Sequence, residues 1–296
     1  MEYPVITLST KEHSKVDKTI KYVFKLHDGL IMETTYIDNN TGKDIICVAT
    51  QTMCGMGCSF CHLTDYIGVL KNRNIKESEI NDSVKYICDD LKIDAEERTL
   101  LISIMGCGEP LLNSEHVCNS MLSLKKIYNK IRFGMATSLP KHKWNTLFDI
   151  AKFVKLYHIP LKVHLSLHYT NDMQRNKEMP NALDIKASIA ALEFYKQITG
   201  NSVEIHYTLI KGVNDSQDDI WALEDLLQHR EIPIKFLRFN SKETNHNEGA
   251  ELERIEEFRT DLEAHGIKTE YYEPPGKDVG ASCGQFLFDE YELIKK

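Results

Sequence analysis

The sequence predicts an α/β protein, organised as a partial barrel of six β/α units with a short N-terminal β-hairpin extension. Apolar runs rich in Val, Ile and Leu alternate with longer segments of helical spacing, a pattern that favours a parallel sheet. Hydrophobic residues make up 42% and charged residues 27% of the 296 residues, which is typical of a globular protein with a large core. A complete eightfold barrel would require two more strand–helix pairs.

The N-terminal region predicts the hairpin. Residues 1–21 are mostly polar and are interpreted as an extension, whereas residues 22–296 are interpreted as the core domain. Strand-like runs at Tyr22–Leu26 and Leu30–Ile37 flank Asp28 and Gly29, a dipeptide typical of hairpin turns.

The six units follow from the alternating pattern. Strands are expected at residues 45–50, 100–105, 133–137, 161–167, 203–210 and 234–239. Apolar residues at helical intervals predict helices around residues 117–124, 185–194 and 216–227.

Polar or glycine-rich groups follow most of these strands. Because the carboxyl ends of barrel strands meet at one mouth, we expect these groups to converge there. They are the cysteine run 54–61, the turn 106–110, Thr137 with Ser138, His168 and Asn240.

The cysteine run has the spacing C-x3-C-x2-C, formed by Cys54, Cys58 and Cys61. An iron–sulfur cube needs four ligands, so three thiolates leave one iron open to a small molecule with an amine and a carboxylate, such as the methionine half of S-adenosylmethionine. Two alternatives stay open at this point: a structural zinc site and a chance group of free thiols.

The cellular setting is inferred from cysteine usage and hydropathy. Eight cysteines without a recognisable signal peptide favour metal or redox chemistry in a reducing compartment, so we expect a cytoplasmic protein. No apolar run approaches the roughly 20 residues that span a bilayer.

The net charge of -8 neither establishes nor excludes an RNA partner. Phosphate backbones are bound by Lys and Arg, which an acidic protein must concentrate locally. Lys71, Arg73, Lys125 and Lys126 are candidates, although such lysines and arginines are more often simply solvated.

Other residues near the predicted mouth have competing interpretations. Glu109 is suited to accepting hydrogen bonds from an ammonium group, but alone it fits a plain turn equally well. Cys88 and Cys118 are interpreted as packing residues in helices, and Cys107 as a small filler in its turn.

The sequence resembles the radical S-adenosylmethionine (radical SAM) RNA methyltransferases of the RlmN/Cfr type, from about Tyr22 to Phe286. The resemblance rests on the cysteine run and on two further cysteines, Cys47 and Cys283, that most radical SAM enzymes lack. It also covers residues 33–37, 106–113, 166–168, 213–215, Asn240 and 281–285.

The resemblance implies two cofactors and the residues that bind them. Cys54, Cys58 and Cys61 would hold a [4Fe-4S] cluster. S-adenosylmethionine would be bound by Gly108, Glu109, Ser166, Leu167, His168 and Asn240.

It also implies a methyl-carrying cysteine. Cys283 would receive a methyl group by nucleophilic displacement, and a 5′-deoxyadenosyl radical would then take a hydrogen from that group. The resulting carbon radical would add to an adenine carbon. Glu33 would accept a proton, and Cys47 would release the product by forming a disulfide with Cys283.

Several positions depart from the family pattern. Only about 20 residues precede the match, where bacterial members carry an accessory domain that contacts RNA. Residues 271–275 replace the basic residues common upstream of the methyl-carrying cysteine. Where the family has Ser-Thr-Ser-Gly after the third strand, this chain has Ala136-Thr137-Ser138-Leu139. Cys107 occupies a position that is usually Met in the family.

We therefore expect an RNA methyltransferase that modifies an adenine carbon, with C2 favoured over C8 because Pro110 resembles the RlmN branch. The substrate would be rRNA or tRNA, the electron donor a flavodoxin or ferredoxin, and the enzyme a monomer. One alternative is the same mechanism on a small molecule or peptide. Another is a non-catalytic iron–sulfur or zinc protein.

Overall fold

A computed structural model describes residues 3–38, 42–242 and 247–285. Within these ranges, ten strands form one sheet in chain order. They are β1 Ile6–His13, β2 Thr19–Leu26, β3 Ile31–Asp38, β4 Lys43–Val48, β5 Thr99–Ile104, β6 Ile131–Thr137, β7 Leu161–Ser166, β8 Val203–Leu209, β9 Ile234–Arg238 and β10 Thr269–Tyr272.

In the described part of the chain, seven α-helices occupy the connections between the parallel strands. They are α1 Glu77–Leu91, α2 Ser114–Ile127, α3 Thr146–Leu156, α4 Asp172–Glu178, α5 Ile185–Thr199, α6 Gln217–Leu227 and α7 Leu252–Ala264. The predicted helices correspond to α2, α5 and α6. The Ser216 hydroxyl caps α6 by accepting from the Asp219 amide, as the sequence suggests for a Ser before an acidic first turn.

The predicted α/β class with a largely parallel sheet is confirmed. Strands β4 to β9 correspond to the six predicted strands and pair in parallel, and β2 and β3 form the predicted antiparallel hairpin. A short seventh parallel strand, β10, pairs with β9, so the parallel part of the sheet exceeds the predicted six strands.

The polar N-terminal region contains a strand that its composition did not predict. β1 pairs antiparallel with β2 and lies at the sheet edge, where polar side chains are common because one side lacks a neighbour. The proposed boundary between residues 21 and 22 falls inside β2, and the division into an extension and a core stays a prediction.

The N-terminal region also contacts the C-terminal loop. Ser14 Oγ donates to Asp278 Oδ1 at 2.7 Å, and the Lys15 amide donates to Asp278 Oδ2 at 2.7 Å. The Gly276 amide donates to Asp17 Oδ2 at 2.8 Å. These bonds hold the loop after β10 against the β1–β2 connection.

Side-chain alternation separates the apolar core from the barrel lumen. In β5, Leu100, Ile102 and Ile104 are buried in the core, whereas Leu101 and Ser103 line a central cavity. The parallel strands therefore present one face to the helices and the other to the lumen. Within the described residues, no helix is long and apolar enough to cross a membrane.

Candidate active site

A central cavity of about 770 Å³ brings the predicted groups together, a size typical of small-molecule sites. Residues from both ends of the chain and from the strand ends line it. The predicted site residues among them are Cys47, Cys54, Cys58, Cys61, Gly108, Glu109, Ser166, His168, Asn240 and Cys283. The expected convergence at one mouth is therefore observed, whereas Leu167 and Glu33 do not line the cavity.

The cysteine loop that follows β4 is anchored by hydrogen bonds from outside it. Thr64 Oγ1 donates to the Cys58 carbonyl at 2.6 Å, and the Ser59 amide donates to the Glu178 carbonyl at 2.8 Å. The Asn181 side chain donates to the Met56 carbonyl at 3.1 Å. These bonds fix the backbone, while the cysteine side chains face the cavity.

The electrostatics of the three thiols favour a bound cation. Burial, with a smaller contribution from the neighbouring Cys61, raises the pKa of Cys54 to about 12. Burial also raises the pKa of Cys58 and of Cys61. Because burial and mutual repulsion both oppose ionisation, a metal that binds thiolates would relieve both effects.

Two glycines let the turn after β5 press against the end of β4. A Cβ atom on Gly106 would lie 2.7 Å from the Val48 carbonyl oxygen. Gly108 has φ of +107°, and a Cβ there would lie 2.5 Å from Thr50 Oγ1. Only glycine fits both positions, and their close approach places Glu109 beside the cysteine loop.

The Glu109 carboxylate is buried and oriented by the chain's own donors. Thr137 Oγ1 donates to Oε1 at 2.6 Å, and the Ser138 amide and hydroxyl each donate to Oε2 at 3.0 Å. Burial raises the pKa of Glu109, although these hydrogen bonds partly oppose that effect. The end of β6 therefore fixes the carboxylate that the sequence singled out.

The end of β7 presents alternate residues to the cavity. Ser166 and His168 line it, whereas the Leu167 side chain is buried in the apolar core. His168 has φ of +58°, its Nδ1 accepts from the Thr208 amide at 3.1 Å, and burial lowers its pKa to about 3. Asn214 donates to the His168 carbonyl at 2.6 Å, which explains one role for the 213–215 stretch.

Asn240 follows β9 and holds the C-terminal loop. Its side-chain amide donates to the Cys283 carbonyl at 2.9 Å and to Ser282 Oγ at 3.1 Å. Ser282 Oγ in turn donates to the Pro274 carbonyl at 2.8 Å. The residue predicted to bind S-adenosylmethionine therefore also positions the cysteine predicted to carry the methyl group.

Cys47 and Cys283 face the same cavity from opposite ends of the chain. Burial raises the pKa of Cys47 to about 12, with a further contribution from Cys283, and burial raises the pKa of Cys283 to about 11. Both are free thiols. The expected disulfide is therefore absent from the structure, in which none of the described cysteines is bonded to another.

Glu33 is buried on β3, outside the cavity lining. Its Oε2 lies 4.0 Å from Lys21 Nζ, and Thr35 Oγ1 donates to its Oε1 at 3.5 Å. Glu33 nevertheless contributes to the raised pKa of Cys47, after larger effects of burial and Cys283, so its charge acts on that thiol. Lys21 was not predicted as a site residue, and no sequence signal distinguishes it, because β2 also contains Lys25 and Thr19.

Comparison with known proteins identifies the family. The chain is 33% identical over 288 residues to the probable dual-specificity RNA methyltransferase RlmN of Clostridioides difficile (strain 630), covering 95% of this chain and 79% of the relative. Identity to the protein of the same name from Alkaliphilus oremlandii (strain OhILAs) is 32% over 287 residues, with the same coverage. The chain belongs to the RlmN family. No family model matches the chain.

Solved structures agree with membership of the RlmN family. A radical SAM methyltransferase from Sphaerobacter thermophilus superposes with a TM-score of 0.83 at 28% identity, covering 95% of this chain and 80% of that one. Streptococcus suis SuiB, bound to S-adenosylmethionine, has a TM-score of 0.55 at 16% identity, covering 78% and 50% of the respective chains, and shows the fold alone. The chain is a radical SAM methyltransferase.

The two cofactors of the radical SAM class, a [4Fe-4S] cluster and S-adenosylmethionine, fit this RlmN-family site. Three thiols on one anchored loop supply one ligand fewer than a cube requires, which leaves an iron open. The buried Glu109 carboxylate and a cavity of about 770 Å³ lie beside them.

Three groups in this RlmN-family chain were missed by the sequence reasoning. Lys242 is buried beside the cysteine loop, where its Nζ contacts Asp65 Oδ1 at 2.8 Å and the Cys61 carbonyl at 3.4 Å. Buried Arg175 donates to the Ser166 and Leu183 carbonyls at 3.0 Å. A third group, on β7 and β8, comprises His164, Glu204 and His206.

Proposed function

We propose that this enzyme methylates an adenine carbon of RNA through a methyl group carried on Cys283. The observation that carries the proposal is that Cys47 and Cys283 line the same cavity as the cysteine loop and Glu109. The curated relatives are named dual-specificity RNA methyltransferases, which supports RNA as the substrate.

Each cofactor has candidate residues in this chain. Cys54, Cys58 and Cys61 hold the cluster, and Glu109 accepts hydrogen bonds from the amino group of S-adenosylmethionine. Gly108, Ser166, Leu167, His168 and Asn240 complete the binding site, with Leu167 contributing only through its backbone because its side chain is buried. When bound, the cofactors supply the methyl group and the radical that activates it.

Cys283 and Cys47 act in different steps of the proposed reaction. The Cys283 thiolate would take the methyl group of the donor, forming a carbon–sulfur bond as the donor's own bond to that carbon breaks. The radical would remove one hydrogen atom from this methyl group, the carrier carbon would bond to the adenine carbon, and the adduct would return one electron to the cluster as the adenine carbon loses its proton. Cys47 would then attack the Cys283 sulfur: the bond between that sulfur and the carrier carbon breaks, the carbon takes up a proton to become the methyl group of the released base, and a disulfide remains to be reduced.

Glu33 is proposed to accept the proton that the adenine carbon loses. Its carboxylate lies next to Lys21, and its charge acts on Cys47. For adenine to reach this depth the base must be unstacked from the RNA. We favour C2 over C8 because of Pro110, the feature that resembles the RlmN branch.

The remaining parts of the proposal concern the setting of the reaction. Residues 22–296 form the catalytic core and residues 1–21 an extension of it; residues 286–296 lie outside the described part. A flavodoxin or ferredoxin donates the electron, and the enzyme works as a cytoplasmic monomer.

A second candidate function keeps the chemistry and changes the substrate to a small molecule or peptide. The net charge of -8 favours it, because RNA phosphates are repelled by an acidic surface. Nucleoside analysis separates the two candidates. RNA from cells with and without the protein should differ in 2-methyladenosine, whereas 8-methyladenosine would reassign the carbon and no difference would favour the smaller substrate.

Mass spectrometry tests the methyl carrier directly. Protein purified anaerobically with S-adenosylmethionine should carry a methyl adduct on the Cys283 peptide, with the buried Cys118 peptide as an unmodified internal control. An unmodified Cys283 in protein that retains its cluster would contradict the carrier mechanism.

A further inference from the structure

The lumen holds a compact polar cluster between the strands of the barrel, at residues that the proposed reaction does not use. His164 lies on β7, and Glu204 and His206 lie on β8. One ligand atom from each, namely two ring nitrogens and a carboxylate oxygen, lies within 4.8 Å of the other two. All three residues are more than nine-tenths buried.

The strand register explains why the three residues meet. His164 is the direct neighbour of Glu204 in the parallel β7–β8 pair, and His206 follows Glu204 by two positions and therefore projects from the same face. Ser166 also lies two positions beyond His164, on the side of the cysteine loop. Because Ser166 is the direct neighbour of His206 in the β7–β8 pair, the cluster borders the proposed S-adenosylmethionine site and extends away from it along the two strands.

The three facing atoms are close enough together for one metal ion to bind them all. His164 Nδ1 lies 3.0 Å and His206 Nε2 lies 3.7 Å from Glu204 Oε2. The shorter distance is within hydrogen-bond range, but among the described residues none of the three atoms has a hydrogen bond of acceptable geometry. Tetrahedral zinc with ligands at about 2.0–2.2 Å separates its ligand atoms by roughly 3.3 Å, between the two observed values.

Two lysines contact the same carboxylate and must be accounted for. Lys162 Nζ binds Glu204 Oε1 at 2.8 Å, which leaves Oε2 available. Lys235 Nζ lies 3.2 Å from Glu204 Oε2, but it also lies 3.2 Å from Glu270 Oε2. A cation at Oε2 would therefore displace an ammonium group that already has a second carboxylate to bind.

We propose that His164, Glu204 and His206 form a second metal site, separate from the cluster cysteines, for a divalent transition ion of the zinc type. Two imidazoles and one carboxylate are a ligand set that zinc uses with a fourth position left open. Here the open position faces the cavity, because His164 and His206 line it.

The test uses the full chain with its iron–sulfur cluster loaded anaerobically, so that the three cysteines of the run are occupied. Zinc is added and unbound metal is removed, and metal content is measured with X-ray absorption at the zinc edge. We expect one zinc per chain, with nitrogen and oxygen neighbours at about 2.0–2.2 Å and no sulfur shell near 2.3 Å. No retained zinc, or zinc bound by sulfur, would overturn the proposal.

Variants locate the site. His164→Gln combined with His206→Gln should lose the zinc and retain the iron, which also shows that the variant folds. His142→Gln combined with His229→Gln, at exposed positions, is the matched control and should retain both metals. Unchanged zinc in the first double variant would place the ion elsewhere, and should that variant fail to fold, the spectrum of the unaltered chain still decides.

Lys235→Met sharpens the test, because it removes the competing ammonium. We expect zinc affinity to rise about tenfold or more, since a dication is repelled by a neighbouring positive charge. An unchanged or weaker affinity would contradict binding at Glu204 Oε2.

Discussion

The two cysteine systems of this enzyme are assembled in opposite ways. Cys54, Cys58 and Cys61 lie within eight residues on one loop, whose backbone is fixed by nearby hydrogen bonds. Cys47 and Cys283 come from a central strand and from a loop near the other end of the chain, and they line one cavity only when the sheet is complete. A local site can be recognised by spacing, whereas a distributed site depends on every element that brings its parts together.

Loss of a single loop cysteine is expected to have the largest effect. Cys54→Ala, Cys58→Ala or Cys61→Ala removes one of the three proposed cluster ligands, so cluster iron and all methylation should be lost. Cys118→Ala is the control, because Cys118 packs in α2 and its loss should cost about 1 kcal/mol of folding free energy without loss of iron. Iron analysis measures the cluster content and RNA methylation assays measure the activity of each variant. An active variant of a loop cysteine would show that this cysteine is not required for the cluster.

Substitutions in the distributed pair should stop the reaction at two different steps. Cys283→Ser should retain the cluster but leave both protein and RNA unmethylated, because the carrier thiol is gone. Cys47→Ser should accumulate protein covalently joined to RNA, because release is blocked. Gel analysis before and after ribonuclease treatment distinguishes them, and identical behaviour of the two variants would show that the thiols do not act in sequence.

The reactivity of Cys283 should depend steeply on pH. Desolvation in the cavity raises its pKa to about 11, although the residue is exposed by its accessible surface, so its reactive thiolate is scarce at neutral pH and increases as pH rises toward that value. Alkylation of Cys283 by iodoacetamide in cluster-free protein should accelerate about tenfold per pH unit from about pH 7 to 10. Peptide mass spectrometry follows the rate, and a flat profile would mean that the thiol is already ionised.

Glu109→Gln tests the cofactor site beside the cysteine loop without removing a proposed metal ligand. The amide keeps the shape but loses the charge that would bind an ammonium group, so S-adenosylmethionine affinity should fall about tenfold to a hundredfold. Glu115→Gln, at an exposed position of the first turn of α2, is the matched control. Anaerobic calorimetry measures both, and equal affinities would remove Glu109 from the cofactor site.

The smallest effect is expected at the contact between the N-terminal region and the Cys283 loop. Asp278→Ala removes the acceptor for Ser14 and Lys15 and should cost about 1 kcal/mol, which lowers the melting temperature by a few degrees. Cys283 alkylation should change a few-fold with it. Asp149→Ala, which breaks an exposed pair with Lys152, should alter neither quantity.

The sequence was sufficient for what is encoded locally. Strands β4 to β9 are apolar runs, the cysteine run has a diagnostic spacing, and the turn containing Glu109 depends on neighbouring glycines. β1 and β10 were missed because the first is polar and the second short, and each lies at an edge of the sheet where hydrophobicity is weakly required.

What the sequence could not provide was register between strands. Lys21 meets Glu33, and His164 meets Glu204, because of pairings that only the assembled sheet fixes. Leu167 illustrates the same limit within one segment, since alternation along the backbone turns its side chain into the core while Ser166 and His168 face the cavity.

The bonds from Ser14 and Asp17 to the loop at Gly276 and Asp278 have a consequence for how the enzyme matures. They join residues 264 and 259 positions apart, so the segment that bears Cys283 is tethered by some of the longest-range contacts in the chain. Closing such a loop carries an entropic cost that earlier contacts must first offset. The C-terminal loop that bears Cys283 is therefore expected to dock late in folding, after the barrel around the cysteine loop has formed.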